Sequence, residues 1–242
     1  MRHKFVAAGL TAVIAAGACI GFTACKEENL AEIVSEQLTA DQWSDAFYGR
    51  YYYGSSENFC IRWTKHVDIP VDGVIVSTVD MEYEVAYSGE LAHYSGKMSA
   101  TGEIAESSSY QEMPKNREMY FRYAEMNRTE GTLYTKTDDG WRVEENAYDT
   151  EIAMNTPSDT YWEPRYDDFI YDVSRGGYVL TYEDALIKQT TLLKFRDGKI
   201  VFAVVQTENG AIPELMYYYG NTETVYSFCY GDDVPEITLP QV

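Results

Sequence analysis

VIVSTVDMEYEVAYS, residues 74–88, decides the fold class because its side chains alternate between apolar and polar along most of its length. One face carries Ile75, Val79, Met81, Tyr83, Val85 and Tyr87, and the other carries Thr78, Asp80, Glu82 and Glu84. Successive side chains of a β-strand point to opposite faces of the sheet, so a period of two indicates a strand with one buried face. The stretch therefore predicts an antiparallel sheet with one face buried and the other exposed to solvent.

The same alternation continues on both sides of this stretch, beginning at Phe59. Further strands are predicted at Leu91–Thr101, Arg117–Met126, Thr132–Thr137, Trp141–Glu145, Ile200–Thr207 and Thr222–Tyr230. Asp139-Gly140 and Asp197-Gly198 are typical hairpin turns, and Gly220-Asn221 is expected to turn the last hairpin. No Pro/Gly/Ser-rich linker divides the chain. We therefore expect a mainly β (α+β) fold, a single curved antiparallel meander or half-barrel over residues 39–242.

Two short helices are expected to pack on this sheet. Thr39-Ala40-Asp41-Gln42 has the pattern of a capping box, with Thr39 as the N-cap. The helix that it opens places on one stripe Trp43, Ala46 and Phe47. A second, inserted helix is expected to start near Pro164 and to bury Phe169 and Ile170.

The first 24 residues have the layout of a secretory signal peptide, in which Arg2 and Lys4 precede an uncharged apolar run. Phe22-Thr23-Ala24-Cys25 resembles the lipobox of bacterial lipoproteins, whose cysteine receives a diacylglyceryl group and becomes the N-terminus. The resemblance implies a lipid anchor on Cys25 at the extracytoplasmic face of a bacterial cell membrane. Residues 25–38 would then be an acidic tether or short helix. The alternative is an ordinary secreted protein cut after Ala18 or Ala24.

The charge of the chain limits its partners. The full sequence has 19 basic and 39 acidic residues, a net charge of −20. The signal peptide holds two of the basic residues and no acidic ones, which leaves 17 basic and 39 acidic residues in the remainder. Such a surface repels nucleic acid and anionic lipid. Neutral, cationic or enclosed apolar ligands remain as candidates, and so does the plain interpretation that the charge only keeps the protein soluble.

Two cysteines remain if Cys25 is lipidated. Cys60 lies on the strand face opposite the apolar Phe59, Ile61 and Trp63, and Cys229 lies on the corresponding face of the last strand. Two interpretations stay open: a disulfide in an oxidising compartment, or two thiols in or near the sheet.

A leader ending in Cys25, an N-terminal helix with Trp43 and Phe47, and a run of hairpins form a layout that resembles the lipoprotein-carrier-like half-barrels of bacterial envelopes. The resemblance is architectural and spans nearly the whole mature chain. It implies a hydrophobic cavity that binds a lipid or a lipoprotein acyl chain, and it transfers no catalytic residue. The candidate lining residues lie on the helix and on the apolar strand faces: Trp43, Phe47, Trp63, Met81, Tyr83, Val85, Phe121 and Tyr123.

Three other interpretations compete with a lipid cavity. The same aromatic residues are also what a plain core against the helix would contain. Tyrosine triplets at 51–53 and 217–219 suit a carbohydrate-recognition surface, because tyrosine offers a flat apolar ring with a polar tip. An exposed sheet edge would suit a module that binds another envelope protein.

The sequence carries no catalytic or metal-binding motif, so we expect no enzyme activity, no metal and no cofactor. His66 follows Lys65 near a strand end and is expected at the surface. The carboxylates of Asp80, Glu82 and Glu84 share one strand face and are expected to be solvated.

Overall fold

The computed structural model describes residues 30–48, 58–124, 127–150, 152, 165–212, 215 and 218–242 of the chain. These residues form a mainly β structure with short helices, as the sequence predicts. The helices used below are α1 (Ala40–Tyr48) and α2 (Ser108–Glu112). The predicted signal peptide, Cys25 and the tyrosines at 51–53 lie outside the described residues, and so does the side chain of Phe47.

The described residues form a sheet of eleven strands. They are β1 (Phe59–Val71), β2 (Val74–Ser88), β3 (Leu91–Gly102), β4 (Asn116–Ala124), β5 (Asn127–Thr137), β6 (Gly140–Tyr148), β7 (Ile170–Asp172), β8 (Gly177–Glu183), β9 (Lys188–Arg196), β10 (Lys199–Ala211) and β11 (Tyr219–Tyr230). The decisive stretch forms β2 over the predicted residues, and the hairpin turns at Asp139-Gly140 and Asp197-Gly198 are confirmed.

All the strands join one open antiparallel sheet in the order β6-β5-β4-β3-β2-β1-β11-β10-β9-β8-β7. Strands that follow one another in the chain are neighbours within each half, so β1–β6 and β7–β11 are two meanders. The pair of β1 with β11 joins them, with a register that runs from Phe59 opposite Tyr230 to Asp68 opposite Asn221. The first and last of the described strands, β1 and β11, therefore lie side by side at the centre of the sheet.

The predicted last hairpin is wrong in position. β11 is unbroken, so Gly220 and Asn221 lie inside a strand, and the chain reverses between Ala211 and Tyr219. A Cβ atom on Gly220 would stand 2.4 Å from the backbone oxygen of Asp68 on β1. Glycine is present here because two backbones approach closely, and not because the chain turns.

The face of the sheet that packs against α1, called the inner face below, carries the main core. The capping box is confirmed: the Thr39 backbone N–H donates to Gln42 Oε1 (2.8 Å), and the Gln42 N–H donates to Thr39 Oγ1 (3.3 Å). It starts α1 so that Trp43 and Ala46 point at the sheet, where both are buried. The Trp43 ring contacts four aromatic rings at centroid distances of 5.0–5.7 Å: Tyr166, Phe169, Tyr178 and Phe195.

The segment before α1 is attached to the second meander. Leu30–Glu32 form one 3-10 turn, and Lys194 Nζ donates to the oxygens of Ala31 (2.6 Å) and Ile33 (2.8 Å). The backbone N–H of Ser35 donates to Gly176 O (2.8 Å), and the N–H of Leu38 donates to the Tyr178 hydroxyl (2.6 Å). Residues 31–38 therefore lie along the sheet, although composition alone favours an acidic tether or helix there.

A second apolar cluster covers the opposite end of β1 and β2. Ile104 and Tyr110, from a 3-10 turn and α2, pack against Val67, Val79 and Met81. The Ser107 hydroxyl caps α2 by accepting from the Tyr110 N–H (3.2 Å). The inner face is thus covered by α1 at one end and by α2 at the other.

The inserted helix is reduced to a 3-10 turn, Tyr166–Asp168, and Pro164 lies outside the described residues. Phe169 is buried as predicted, whereas Ile170 is 76% exposed. The expectation for Ile170 fails because this residue already belongs to β7, opposite Val179. Strand alternation there turns consecutive side chains to opposite faces.

Candidate functional site

A continuous row of cross-strand partners crosses the middle of the inner face. Direct register links Gly96 of β3 with Tyr83, Trp63, Tyr226 and Ala203 of the next four strands in the sheet. The Tyr83 ring stacks on Trp63 with centroids 4.9 Å apart, and it lies over Gly96, where a Cβ atom would stand 2.8 Å from the ring. Burial and the neighbouring Tyr83 raise the pKa of Tyr94 on β3 beside this stack, so its hydroxyl stays protonated.

The adjacent row mixes apolar and polar side chains. It runs from Met81 through Lys65, Thr224, Val205 and Thr191 to Leu180 of β8. Lys65, Thr224 and Thr191 are buried, whereas Val205 and Leu180 keep part of their surface exposed. The strip thus combines partly exposed apolar side chains with a few polar groups, a composition that ligand-binding surfaces share.

The candidate lining residues whose side chains are described all lie on the inner side of the sheet. Trp43, Trp63, Met81, Val85, Phe121 and Tyr123 are buried, and Tyr83 is half-buried. Most of these side chains therefore pack against each other and against α1 or α2. Half-exposed surface on this face is also supplied by residues outside the candidate lining set, among them Phe59, Tyr87, Leu180, Val205 and Tyr230.

The outer face carries a buried polar cluster. Arg62 of β1 pairs with Glu84 of β2, which is its direct cross-strand partner. His93 Nδ1 of β3 lies 3.6 Å from the second oxygen of Glu84. Burial acts to raise the pKa of Glu84, but the His93 and Arg62 contacts outweigh burial and hold it below its usual value. Glu84 is therefore an ionised carboxylate with only 7% of its surface exposed.

The C-terminal segment covers this cluster and encloses a cleft. Ile237 packs on Cys60 and Ala86, with Val234 beside them. Between the segment and the sheet lies a cavity of about 210 Å³, called the outer cleft below. Its walls are Glu84, Ala86, His93 and Tyr120 from the sheet, and Pro235, Glu236, Ile237 and Thr238 from the C-terminal segment. His93 Nε2 is buried, and no group of the described residues forms a hydrogen bond with it.

Tyr120 of β4 forms the far wall of the outer cleft. Its ring contacts the His93 ring at a tilt of 31°, with centroids 4.5 Å apart, and its hydroxyl donates to Glu118 Oε1 (3.2 Å). Burial and the neighbouring carboxylates of Glu118 and Glu84 raise the pKa of Tyr120 to about 12. The phenol therefore stays protonated and donates to Glu118, while its ring covers one side of His93.

The outer cleft was not predicted from the sequence. Of the three carboxylates predicted to be solvated, Asp80 and Glu82 are exposed, but Glu84 is buried. Arg62 could have indicated the burial of Glu84, because a cation directly opposite a carboxylate on a paired strand favours an ion pair. The cover supplied by Ile237, which is distant in the chain, has no such local signal.

His66 lies on the same outer face and is exposed, as predicted. Its Nδ1 lies 2.6 Å from Asp80 Oδ1 and its Nε2 lies 3.2 Å from Asp68 Oδ1. Within the described ranges, no group of three or more His, Cys, Asp or Glu side chains is arranged to hold a metal ion. None of the helices in the described part of the chain is long and apolar enough to cross a bilayer.

The tyrosines predicted as a carbohydrate surface are only partly described. In the second triplet, Tyr217 is outside the described residues and Tyr219 is 65% exposed. Tyr218 is half-buried and packs against the second apolar cluster, to which Ile104 and Tyr110 belong.

No protein-family model matches the chain, and no curated protein matches it. Among solved structures, the chain is similar to the S-type phycobiliprotein lyase CPES of Guillardia theta, at 6% identity and a TM-score of 0.23. The match covers 84% of this chain and all of the lyase chain. A likeness at that score carries no argument about fold or ligand.

Proposed function

We propose that this chain is a membrane-anchored extracytoplasmic binding protein, without enzyme activity, that holds a lipid or a lipoprotein acyl chain on the inner face of its sheet. The observation that carries the proposal is the strip between α1 and α2 on the inner face, where Tyr83, Val205 and Leu180 remain partly exposed among buried side chains. Apolar surface of this kind is stabilised when a ligand removes it from water, by about 25 cal/mol per Å².

The polar residues of the same strip suit an amphipathic ligand. Lys65 is a cation on the inner face of a strongly acidic chain, and Thr224 lies beside it in direct register. Thr191 lies two strands beyond Thr224 in the same row, on the far side of Val205. An acyl chain can lie along Val205 and Leu180 while its polar end meets these groups. The anchor on Cys25, proposed from the lipobox resemblance, would keep the domain close to a supply of such ligands.

The test is native mass spectrometry on the full chain purified from bacterial membranes. We expect an added mass of lipid that organic extraction removes, distinct from a covalent diacylglyceryl group on Cys25. The extracted protein should then bind a pyrene-labelled fatty acid saturably.

Two matched variants assign the binding to one face of the sheet. Leu180 and Leu192 are both half-buried leucines on the neighbouring strands β8 and β9, but they face opposite sides. Leu180→Glu should weaken probe binding at least tenfold, and Leu192→Glu should leave it unchanged. Equal binding by both variants, or no extractable lipid and no probe binding, would contradict the proposal.

A further inference from the structure

Three exposed apolar side chains form a patch at the β7 edge of the sheet, called the β7 patch below. Val34, Ile170 and Val173 are 74%, 76% and 82% exposed. Ile170 belongs to β7, and Val173 begins the turn from β7 to β8. Val34 lies against Gly176 at the end of the same turn, where a Cβ atom would stand 3.4 Å from the Val34 Cα. Single exposed apolar residues are ordinary, whereas a cluster of them is what contact surfaces have.

The N-terminal segment is fixed beside this patch by hydrogen bonds. The Tyr171 hydroxyl donates to Ser35 O (2.8 Å), and Lys194 Nζ donates to Ala31 O (2.6 Å). Ala31 is therefore a fixed point, and it follows Cys25 by six residues. Six residues span at most about 22 Å when fully extended. A lipid on Cys25 would thus hold Ala31, and the β7 patch next to it, close to the membrane surface.

A second exposed apolar patch lies at the opposite end of the sheet, on the turn between β1 and β2. It consists of Val71, Val74 and Ile75. Direct register links Tyr178 of β8 with Trp63 of β1 across four strand pairs. Val71 lies eight residues beyond Trp63, on the side away from the β7–β8 turn, which is about 26 Å along the strands. The reach of the anchor therefore selects the β7 patch over this one.

From this geometry we infer that the β7 patch rests on the surface of a zwitterionic lipid bilayer and sets the orientation of the anchored domain. The inference rests on the anchor of the proposed function. Arg175 Nε lies 3.7 Å from Asp172 Oδ2, so the turn that carries Val173 has no net charge and suits neutral head groups. Anionic lipid would be repelled by a chain of net charge −20. Since the two acyl chains of the anchor already hold the domain at the membrane, even a weak contact of the patch is sufficient to orient it.

This orientation brings the lipid strip of the inner face close to the bilayer. Leu180, at the β8 end of that strip, lies three residues beyond Gly177, where β8 begins. Three residues of a strand span about 10 Å. An acyl chain that leaves the bilayer at the β7 edge would therefore meet Leu180 first.

The test measures the distance of each patch from the lipid surface. The full chain, with its lipid verified by intact mass, is placed in phosphatidylcholine nanodiscs that contain a gadolinium-chelating lipid. Methyl NMR then gives the paramagnetic relaxation enhancement of the valine and isoleucine side chains. We expect at least fivefold more enhancement at Val34, Ile170 and Val173 than at Val74 and Ile75. A water-soluble gadolinium chelate in place of the lipid-linked one should reverse that order. Equal enhancement at the two patches, or more at Val74 and Ile75, would overturn the inference.

Two matched variants show whether the apolar side chains make the contact. Val173→Glu and Val74→Glu each place a carboxylate at an exposed valine beside a hairpin turn, at opposite ends of the sheet. Val173→Glu should at least halve the enhancement at Val34 and Ile170, because a charge is poorly accommodated at the lipid surface. Val74→Glu should leave that enhancement unchanged. The same effect in both variants, or none in Val173→Glu, would contradict the inference.

The outcomes separate this inference from the proposed function. An anchored chain that binds the pyrene-labelled fatty acid but shows no enhancement at the β7 patch overturns the orientation alone. Enhancement at the β7 patch without fatty-acid binding supports the orientation and overturns the proposed ligand. A mature chain without lipid on Cys25 overturns both the anchor and the orientation.

Discussion

Cys60 of β1 and Cys229 of β11 are direct cross-strand partners on the outer face, at the joint between the two meanders. Directly opposed residues in an antiparallel pair have Cα atoms roughly 4.5–5.5 Å apart, which lies within the range that a disulfide spans. Both are thiols in this structure, and Cys60 is fully buried beneath Ile237. The register brings together the two cysteines for which the sequence left a disulfide open.

We predict that a disulfide oxidant such as oxidised glutathione converts the pair to a disulfide by thiol–disulfide exchange. The bond would close a loop of most of the domain and stabilise it by about 2–5 kcal/mol. Intact mass should fall by two hydrogen atoms relative to the reduced protein, and urea unfolding should shift to higher concentration. The Cys60→Ser and Cys229→Ser variants should lose both effects. Two thiols that still react with a labelling reagent in the unfolded, oxidant-treated protein would contradict the prediction.

Gly220 and Gly210 are opposed on β11 and β10, which allows a matched comparison of two glycine substitutions. A Cβ atom on Gly220 would stand 2.4 Å from the backbone oxygen of Asp68. A Cβ on Gly210 would stand 2.7 Å from the Thr207 side chain, its nearest neighbour among the described residues. Backbone cannot move aside as a side-chain methyl can. Gly220→Ala should therefore lower the free energy of unfolding by about 2–4 kcal/mol, and Gly210→Ala by less than about 1 kcal/mol, as measured by urea denaturation. Equal costs would show that the β1–β11 joint tolerates the added carbon.

The elements of the fold could be predicted from the sequence where the pattern involves only residues close together in the chain. Alternation of side chains located β2 residue for residue, and the Asp-Gly pairs located two hairpin turns, because both patterns depend on neighbours in the chain. The capping box at Thr39 located the start of α1 for the same reason.

The failures have non-local causes. Gly220-Asn221 looks like a turn in sequence, but the demand for glycine comes from Asp68, a strand partner far away in the chain. Glu84 alternates with apolar residues as a solvated carboxylate does, and it is buried because Ile237 and its neighbours return across the outer face. Pairing between β1 and β11 could be suggested from the two cysteines, but only the structure supplies its register.

The N-cap of α1 gives a prediction about local stability. Thr39 and Gln42 satisfy each other's backbone N–H groups at the start of the helix that carries Trp43. Thr39→Ala should lower the free energy of unfolding by about 1 kcal/mol, because the backbone N–H of Gln42 loses its acceptor. Ser44→Ala, at an exposed interior position of the same helix, should have no cost or a slight gain, since alanine is the better helix former. Urea denaturation of the two variants measures the difference, and an equal effect would argue against a contribution from the cap.

The ion pairs of His66 give a prediction about pH. Burial lowers the pKa of His66, but hydrogen bonds and charge from Asp80 and Asp68 outweigh burial, so the pKa is raised above 6.5. The protonated ring therefore favours the folded state. Its contribution is complete below the ordinary pKa and is lost as pH rises through the folded-state value.

Replacement of His66 should accordingly cost more at acidic than at alkaline pH. His66→Gln should be less stable than the native chain at about pH 5.5 and should approach it at about pH 8.5. About half of the side chain is exposed, so solvent screening should keep the difference below about 1 kcal/mol. Urea unfolding of both proteins at both pH values measures it, because subtracting the native curve removes the titration of every other group. A gap that widens with rising pH would mean that the aspartates do not favour the protonated ring.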